Sequence, residues 1–148
     1  MYNLEQSTLN AVNLSIPSAI LTSPNKESKF VILKWASDNR HLLVQRNFDN
    51  KKEFLMIDVE TVSSSLNINN LLTVNPSEVT LKENKYDQLY IYDTEGGTIR
   101  TANLKDRTVS GAVLSGVVAY KTFGSAGMIY VTSQGAKEGK VNVRIREV

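Results

Sequence analysis

The chain has 148 residues, 17 Lys and Arg against 15 Asp and Glu, 41% hydrophobic and 22% charged residues, and no cysteine. That length supports one hydrophobic core, and the balance is that of an ordinary globular chain rather than a disordered, collagenous or membrane-spanning one. The absence of cysteine excludes a disulfide scaffold, a zinc–thiolate site and a thiol nucleophile.

The first 29 residues read as an extension outside the main domain. They hold no basic stretch followed by an apolar run, so they are not a signal peptide as written, and no window reaches the 18 or so apolar residues of a membrane helix. The compartment stays open, extracytoplasmic if a preceding signal or anchor has been removed. Short apolar pieces in the extension, Leu14-Ser15-Ile16 and Ala19-Ile20-Leu21, are candidates to complete a neighbouring sheet.

From residue 30 onward, short β-branched and aromatic runs recur about every 10 residues between turn signals, and no window carries a helical apolar stripe. The predicted strands are Phe30–Trp35, His41–Gln45, Phe54–Val59, Glu78–Leu81, Leu89–Tyr92, Thr98–Leu104, Val117–Tyr120, Met128–Val131 and Val141–Ile145. Val62–Leu66 reads as a polar loop with one turn. All eight glycines lie at or beyond Gly96, so earlier turns fall to Asp38-Asn39, Asp49-Asn50 and Asn69-Asn70. Asparagine adopts the left-handed region at little cost. Asp93–Gly97 and Gln134–Gly139 supply the later hairpin turns.

With Leu43, Leu89 and Ile129 placed at one position, an apolar strand stands about ten residues before each anchor and another about sixteen after it. The anchors are 46 and 40 residues apart, a spacing of propeller blades. The expected fold is therefore all-β, with antiparallel blade-like repeats over about 30–72, 73–114 and 115–148. The alternative is a β-sandwich with regular strand spacing.

Trp35-Ala36-Ser37-Asp38-Asn39-Arg40-His41-Leu42-Leu43-Val44 resembles the W-S-P-D-G-[KR]-x-[LIV] signature of TolB-type and WD-repeat-like β-propellers. Ser37 and Asn39 replace its Pro and Gly, the match is good in one repeat, and the Gly-His and Trp-Asp dipeptides of WD repeats are absent. The resemblance implies a non-enzymatic scaffold that binds proteins. Three blades fall short of the four or so that close a ring. The expected molecule is thus a segment of a longer propeller, or a half that closes a six-bladed ring as a homodimer. Competing readings are the non-catalytic propeller part of a larger hydrolase and a small carbohydrate-binding β domain.

No residue set points to catalysis, a cofactor or a metal. His41 stands beside Ser37 and Asp38, but three residues of one hairpin do not converge as a nucleophile, base and orienting acid must. Asp93–Gly97 lacks the spacing of a calcium loop. No phosphate-binding glycine loop is present, and the scattered basic residues lack the clustering of a nucleic-acid surface. The candidate ligand-binding residues are Tyr86, Tyr92 and Phe123, aromatic positions near strand ends that suit a rim groove.

Overall fold

The structure, a computed structural model, describes residues 2–3, 8–9, 13–124, 127–133, 135 and 137–147. Gln134 and Ala136, which belong to the last expected turn, lie outside that set, as do Ser125, Ala126, Val148, Met1 and residues 4–7 and 10–12 of the extension.

A short ladder of β1 (Tyr2–Asn3) and β2 (Thr8–Leu9) precedes three antiparallel meanders. The first sheet is β3 (Lys29–Trp35), β4 (His41–Phe48), β5 (Lys51–Asp58) and β6 (Leu66–Asn67), in that order. The second is β7 (Glu78–Leu81), β8 (Gln88–Asp93), β9 (Thr98–Asn103) and β10 (Thr108–Leu114). The third is β11 (Val117–Phe123), β12 (Gly127–Thr132) and β13 (Asn142–Glu147). One helix, α1 (Ile68–Leu72), links the first two sheets. The chain is all-β, as expected, and each predicted strand is present.

Turn chemistry fixes the register. Asp49 and Asn50 take φ of 45° and 58°, a two-residue mirror-type turn that pairs Phe48 with Lys51 and carries the ladder back to His41 opposite Asp58. Glu83 and Asn84, at 53° and 57°, form a local turn closed by the Lys85 N–H on the Lys82 carbonyl, within the longer connection between β7 and β8. Gly97 has φ of 55°, and a Cβ there would stand 2.9 Å from the Val117 carbonyl oxygen, so only glycine lets the second and third sheets close up.

Elements β6, α1 and β10 depart from expectation, and Asn69-Asn70, expected as a turn, lies inside α1. The Asn67 side chain accepts the Asn70 N–H at 3.2 Å and caps α1, a five-residue helix too short to show a period. β10 is an almost wholly exposed edge strand with two register shifts against β9, so Thr108–Leu114 carries no alternating apolar signal.

The sheets stack face to face around two cores. Leu43, Phe54 and Met56 of the first sheet meet Val79, Leu81, Leu89 and Ile91 of the second. On the other side of the second sheet, Tyr90, Tyr92 and Ile99 meet Val117 and Met128. Leu43 and Leu89 thus point at each other, so they cannot be equivalent positions of a repeat. The equivalent residues are Leu42, Leu89 and Met128, each facing the preceding layer. The turn bonds agree, since Ala36 N–H donates to the His41 carbonyl just as Lys82 N–H donates to that of Gln88. Of the three anchors only Leu89 is out of step, by one residue, since Leu43, Tyr90 and Ile129 share the opposite face, and in a strand one step exchanges the two faces. Corrected, all three sheets point the same way along the stack.

Candidate interaction surface

The three candidate aromatic residues lie in three places. Tyr86 stacks on His41 with centroids 3.8 Å apart and planes 9° from parallel, beside the first core. Tyr92 is buried in the second core, where its hydroxyl donates toward the Val117 and Val118 carbonyls at 2.9 Å each. It meets Tyr120 edge-on at 5.3 Å, and burial pushes both phenols above their ordinary pKa. Phe123 is exposed, its ring lying over Gly127. No shared groove joins them.

His41 sits in a polar cluster formed by the turns at one end of the stack. Its Nδ1 is 2.6 Å from Asp38 Oδ2, and its Nε2 is 3.8 Å from Asp58 Oδ2. Arg40 donates to both Asp58 oxygens, at 2.9 and 2.6 Å, and the Glu60 and Thr61 N–H groups add to Asp58 Oδ1. The Arg40 hydrogen bonds hold the Asp58 carboxyl well below the usual carboxylate range, against the pull of its burial. For Asp38, burial is outweighed by the Arg40 and His41 N–H groups and the His41 ring, so its pKa also falls. Both imidazole nitrogens face carboxylates, the geometry of a turn clamp.

At the opposite end, a groove of about 1240 Å³ separates the first two sheets. Lys51 and Lys52 line one wall, and Glu78, Asp93 and Glu95 the other. Its one aromatic, Phe48, is buried with the Arg46 guanidinium 4.2 Å above its ring, so the groove offers no exposed ring for a sugar to stack on.

The two outer faces of the stack differ sharply. The first sheet presents Leu42, Val44, Leu55 and Ile57 outward, and Leu14, Ile16, Ile20 and Leu21 pack over them. Residues 13–28 enter no ladder but cross this face as a strap, with tight turns at Ser18–Ile20 and at Ser23–Lys26. A buried ion pair pins the strap. Arg46, wholly buried, reaches Glu53 at 2.6 Å and donates to the Thr22 and Ser23 carbonyls and to Ser28 Oγ. Glu53 in turn accepts the Thr22 N–H and the Asn67 amide, which also donates to the Ile20 carbonyl.

Among the described residues, the third sheet has no such cover. Met128 and Tyr130 face the second core, so Ile129 and Val131 point away from it, in rows with Lys121 and Ile145 and with Ala119 and Val143. Val143 and Ile145 are 67% and 72% exposed, and Ile129, Val141 and Phe123 are exposed with them. A sheet face that gathers this many apolar side chains, with Lys121 as the charged residue among them, marks an interaction surface, because single scattered apolar residues are normal on a protein but a cluster of them is not.

This surface was not among the expected sites, although Val141–Ile145 was a predicted strand with three apolar residues, Val141, Val143 and Ile145, on one face. The strap clamp was legible in principle. Arg46 and Glu53 stand symmetrically about the Asp49-Asn50 turn, so an antiparallel hairpin must set them opposite each other inside two otherwise apolar strands.

Among the described residues no cluster of His, Asp and Glu is arranged to hold a metal ion, and no helix is long and apolar enough to cross a membrane. No protein-family model matches the chain, and no curated protein sequence matches it.

Proposed function

We propose that this chain is a β-propeller-type module of about three blades that works as a non-enzymatic binding scaffold, engaging protein through the open face of the third sheet, with a second copy as its partner. The carrying observation is that face, with Val143 and Ile145 at 67% and 72% exposed in a plane with Ile129 and Val131. The shared orientation of the three meanders supports the blade reading over a sandwich, in which the two facing sheets need not repeat one direction. The chain of turn contacts supports it too: Ser37 N–H donates to the Asn84 carbonyl, and the Asn84 amide stands 3.5 Å from the Gly124 carbonyl, joining equivalent turns of successive sheets.

Sedimentation over a rising concentration series tests the reading. The wild-type chain is expected to show reversible, concentration-dependent association that Val143→Lys/Ile145→Lys abolishes while leaving circular dichroism unchanged. Identical monomeric sedimentation of both proteins overturns it.

A further inference from the structure

We infer that residues 13–28 are a displaceable cap occupying the very face on which the open third sheet of a second copy docks, so that the strap controls head-to-tail assembly of the chain. This rests on the reading of the third sheet's outer face as the interaction surface, and adds what it binds and what opposes it.

The occupant follows from the two joints already inside the molecule. In each, one sheet's leading face meets the trailing face of the next, first against second and second against third. Among the described residues the third sheet is the last of this series, and its leading face, carrying Ile129, Val131, Val143 and Ile145, is uncovered. The surface that continues the series is the trailing face of a first sheet, Leu42, Val44, Leu55 and Ile57. Within one chain that surface exists already, buried under the chain's own strap.

The strap is a partial substitute for a sheet. β3 pairs Phe30 with Arg46, Ile32 with Val44 and Trp35 with Leu42, which sets all three β3 side chains on the strapped face. They remain 42%, 67% and 46% exposed, because the strap lies over β4 and β5 and stops short of β3. A docked sheet is wide enough to reach that third strand. The face is therefore larger than its cover, and three large apolar side chains stand beside the strap with nothing over them among the described residues.

The clamp makes the exchange a switch. The strap's side chains contribute apolar contact, while its backbone is held by Arg46, Glu53 and Asn67, all of which belong to the first sheet. A heterologous joint of leading to trailing face closes into a ring or grows without limit, unless something blocks one end. Terminal caps serve this purpose in stacked-repeat proteins. Two chains joined twice in this way make a six-sheet ring, and each joint needs one strap to leave. A competitor that leaves its site a small fraction of the time weakens association by that fraction.

The test frees the strap without touching the sheets. Ile16→Asp/Ile20→Asp is expected to associate about tenfold or more tightly than wild type in sedimentation, since a strap closed nine times in ten lowers apparent affinity about tenfold. A synthetic peptide of residues 13–28 added in trans is expected to return it to monomer, and Val143→Lys/Ile145→Lys placed in the same chain to prevent the association. Tryptic cleavage after Lys26 and Lys29 confirms release of the strap. The inference is overturned if the freed variant associates no more tightly than wild type, if the peptide leaves its mass unchanged, or if the lysine substitutions do not matter. Wild type that self-associates through Val143 and Ile145 but gains nothing from strap release pairs open face to open face. That outcome leaves the interaction surface standing and removes the cap.

Discussion

Arg46 and Glu53 form a 2.6 Å ion pair that solvent does not reach, and the pair joins the N-terminal strap to the first sheet rather than one strand to the next alone. Every guanidinium nitrogen has a partner: Nε on Ser28, one terminal nitrogen on Glu53 and the Thr22 carbonyl, the other on the Ser23 carbonyl. Burying two charges costs solvation, and full hydrogen bonding is what makes the arrangement tolerable. Arg46→Leu is expected to cost about 3–5 kcal/mol in urea unfolding, the cost of stranding a buried carboxylate. Arg46→Leu/Glu53→Leu is expected to cost clearly less than the sum of the two single changes.

The second core depends on one hydroxyl. Tyr92 serves the carbonyls of Val117 and Val118 at the point where β11 begins, so its ring fills the core and its oxygen positions the third sheet. Tyr92→Phe keeps the ring and is expected to lose about 1 kcal/mol. Tyr92→Ala is expected to lose about 3–5 kcal/mol by leaving a cavity. Burial raises the phenol pKa, so the folded chain binds that proton more tightly than the unfolded one. Stability from this group is complete below the ordinary phenol range and falls as pH rises beyond about 10. Thermal melts across the alkaline limb, compared between wild type and Tyr92→Phe, check the sign.

On the acid side the relevant group is Asp58. Arg40 and two backbone N–H groups stabilise its ionised form, and its folded pKa is depressed. A depressed carboxylate adds stability above its unfolded pKa of about 4, and that stability drains away as pH falls below it. Asp58→Asn is expected to be less stable than wild type at neutral pH and to lose less on acidification, so the two melting curves converge toward low pH. Parallel curves would show that Asp58 does not set the acid limb.

Strand positions were legible because buried β-structure leaves a mark in every residue: Leu42–Val44 and Leu89–Tyr92 are apolar on both faces, as strands between two layers must be. That same continuity hid the register. Where apolar residues stand at every position, nothing in the pattern says which face Leu43 takes, and the match of Leu43 to Leu89 was one residue out. The candidate site was less legible still. Tyr92 and Phe123 look alike as aromatic residues near strand ends, but one is buried by a neighbouring sheet and the other is open, and only the stacking order separates them. β10 and α1 escaped notice because one buries almost nothing and the other is barely longer than a turn.

The Asp49-Asn50 turn carries more than a change of direction. Both residues have positive φ, which costs an ordinary side chain roughly 1–2 kcal/mol and asparagine much less. Asn50→Gly is expected to be neutral or to stabilise slightly, and Asn50→Val to lose about 1–2 kcal/mol in urea unfolding. The register that this turn enforces is also what sets Arg46 against Glu53 and Val44 against Leu55. A slip of one residue would move Arg46 out of line with its carboxylate and turn one strand's apolar set to the wrong face. Asn50→Val is therefore expected to loosen the strap as well as the hairpin, read as faster tryptic cleavage after Lys26. If stability falls while that cleavage rate stays at the wild-type value, the clamp does not depend on the turn.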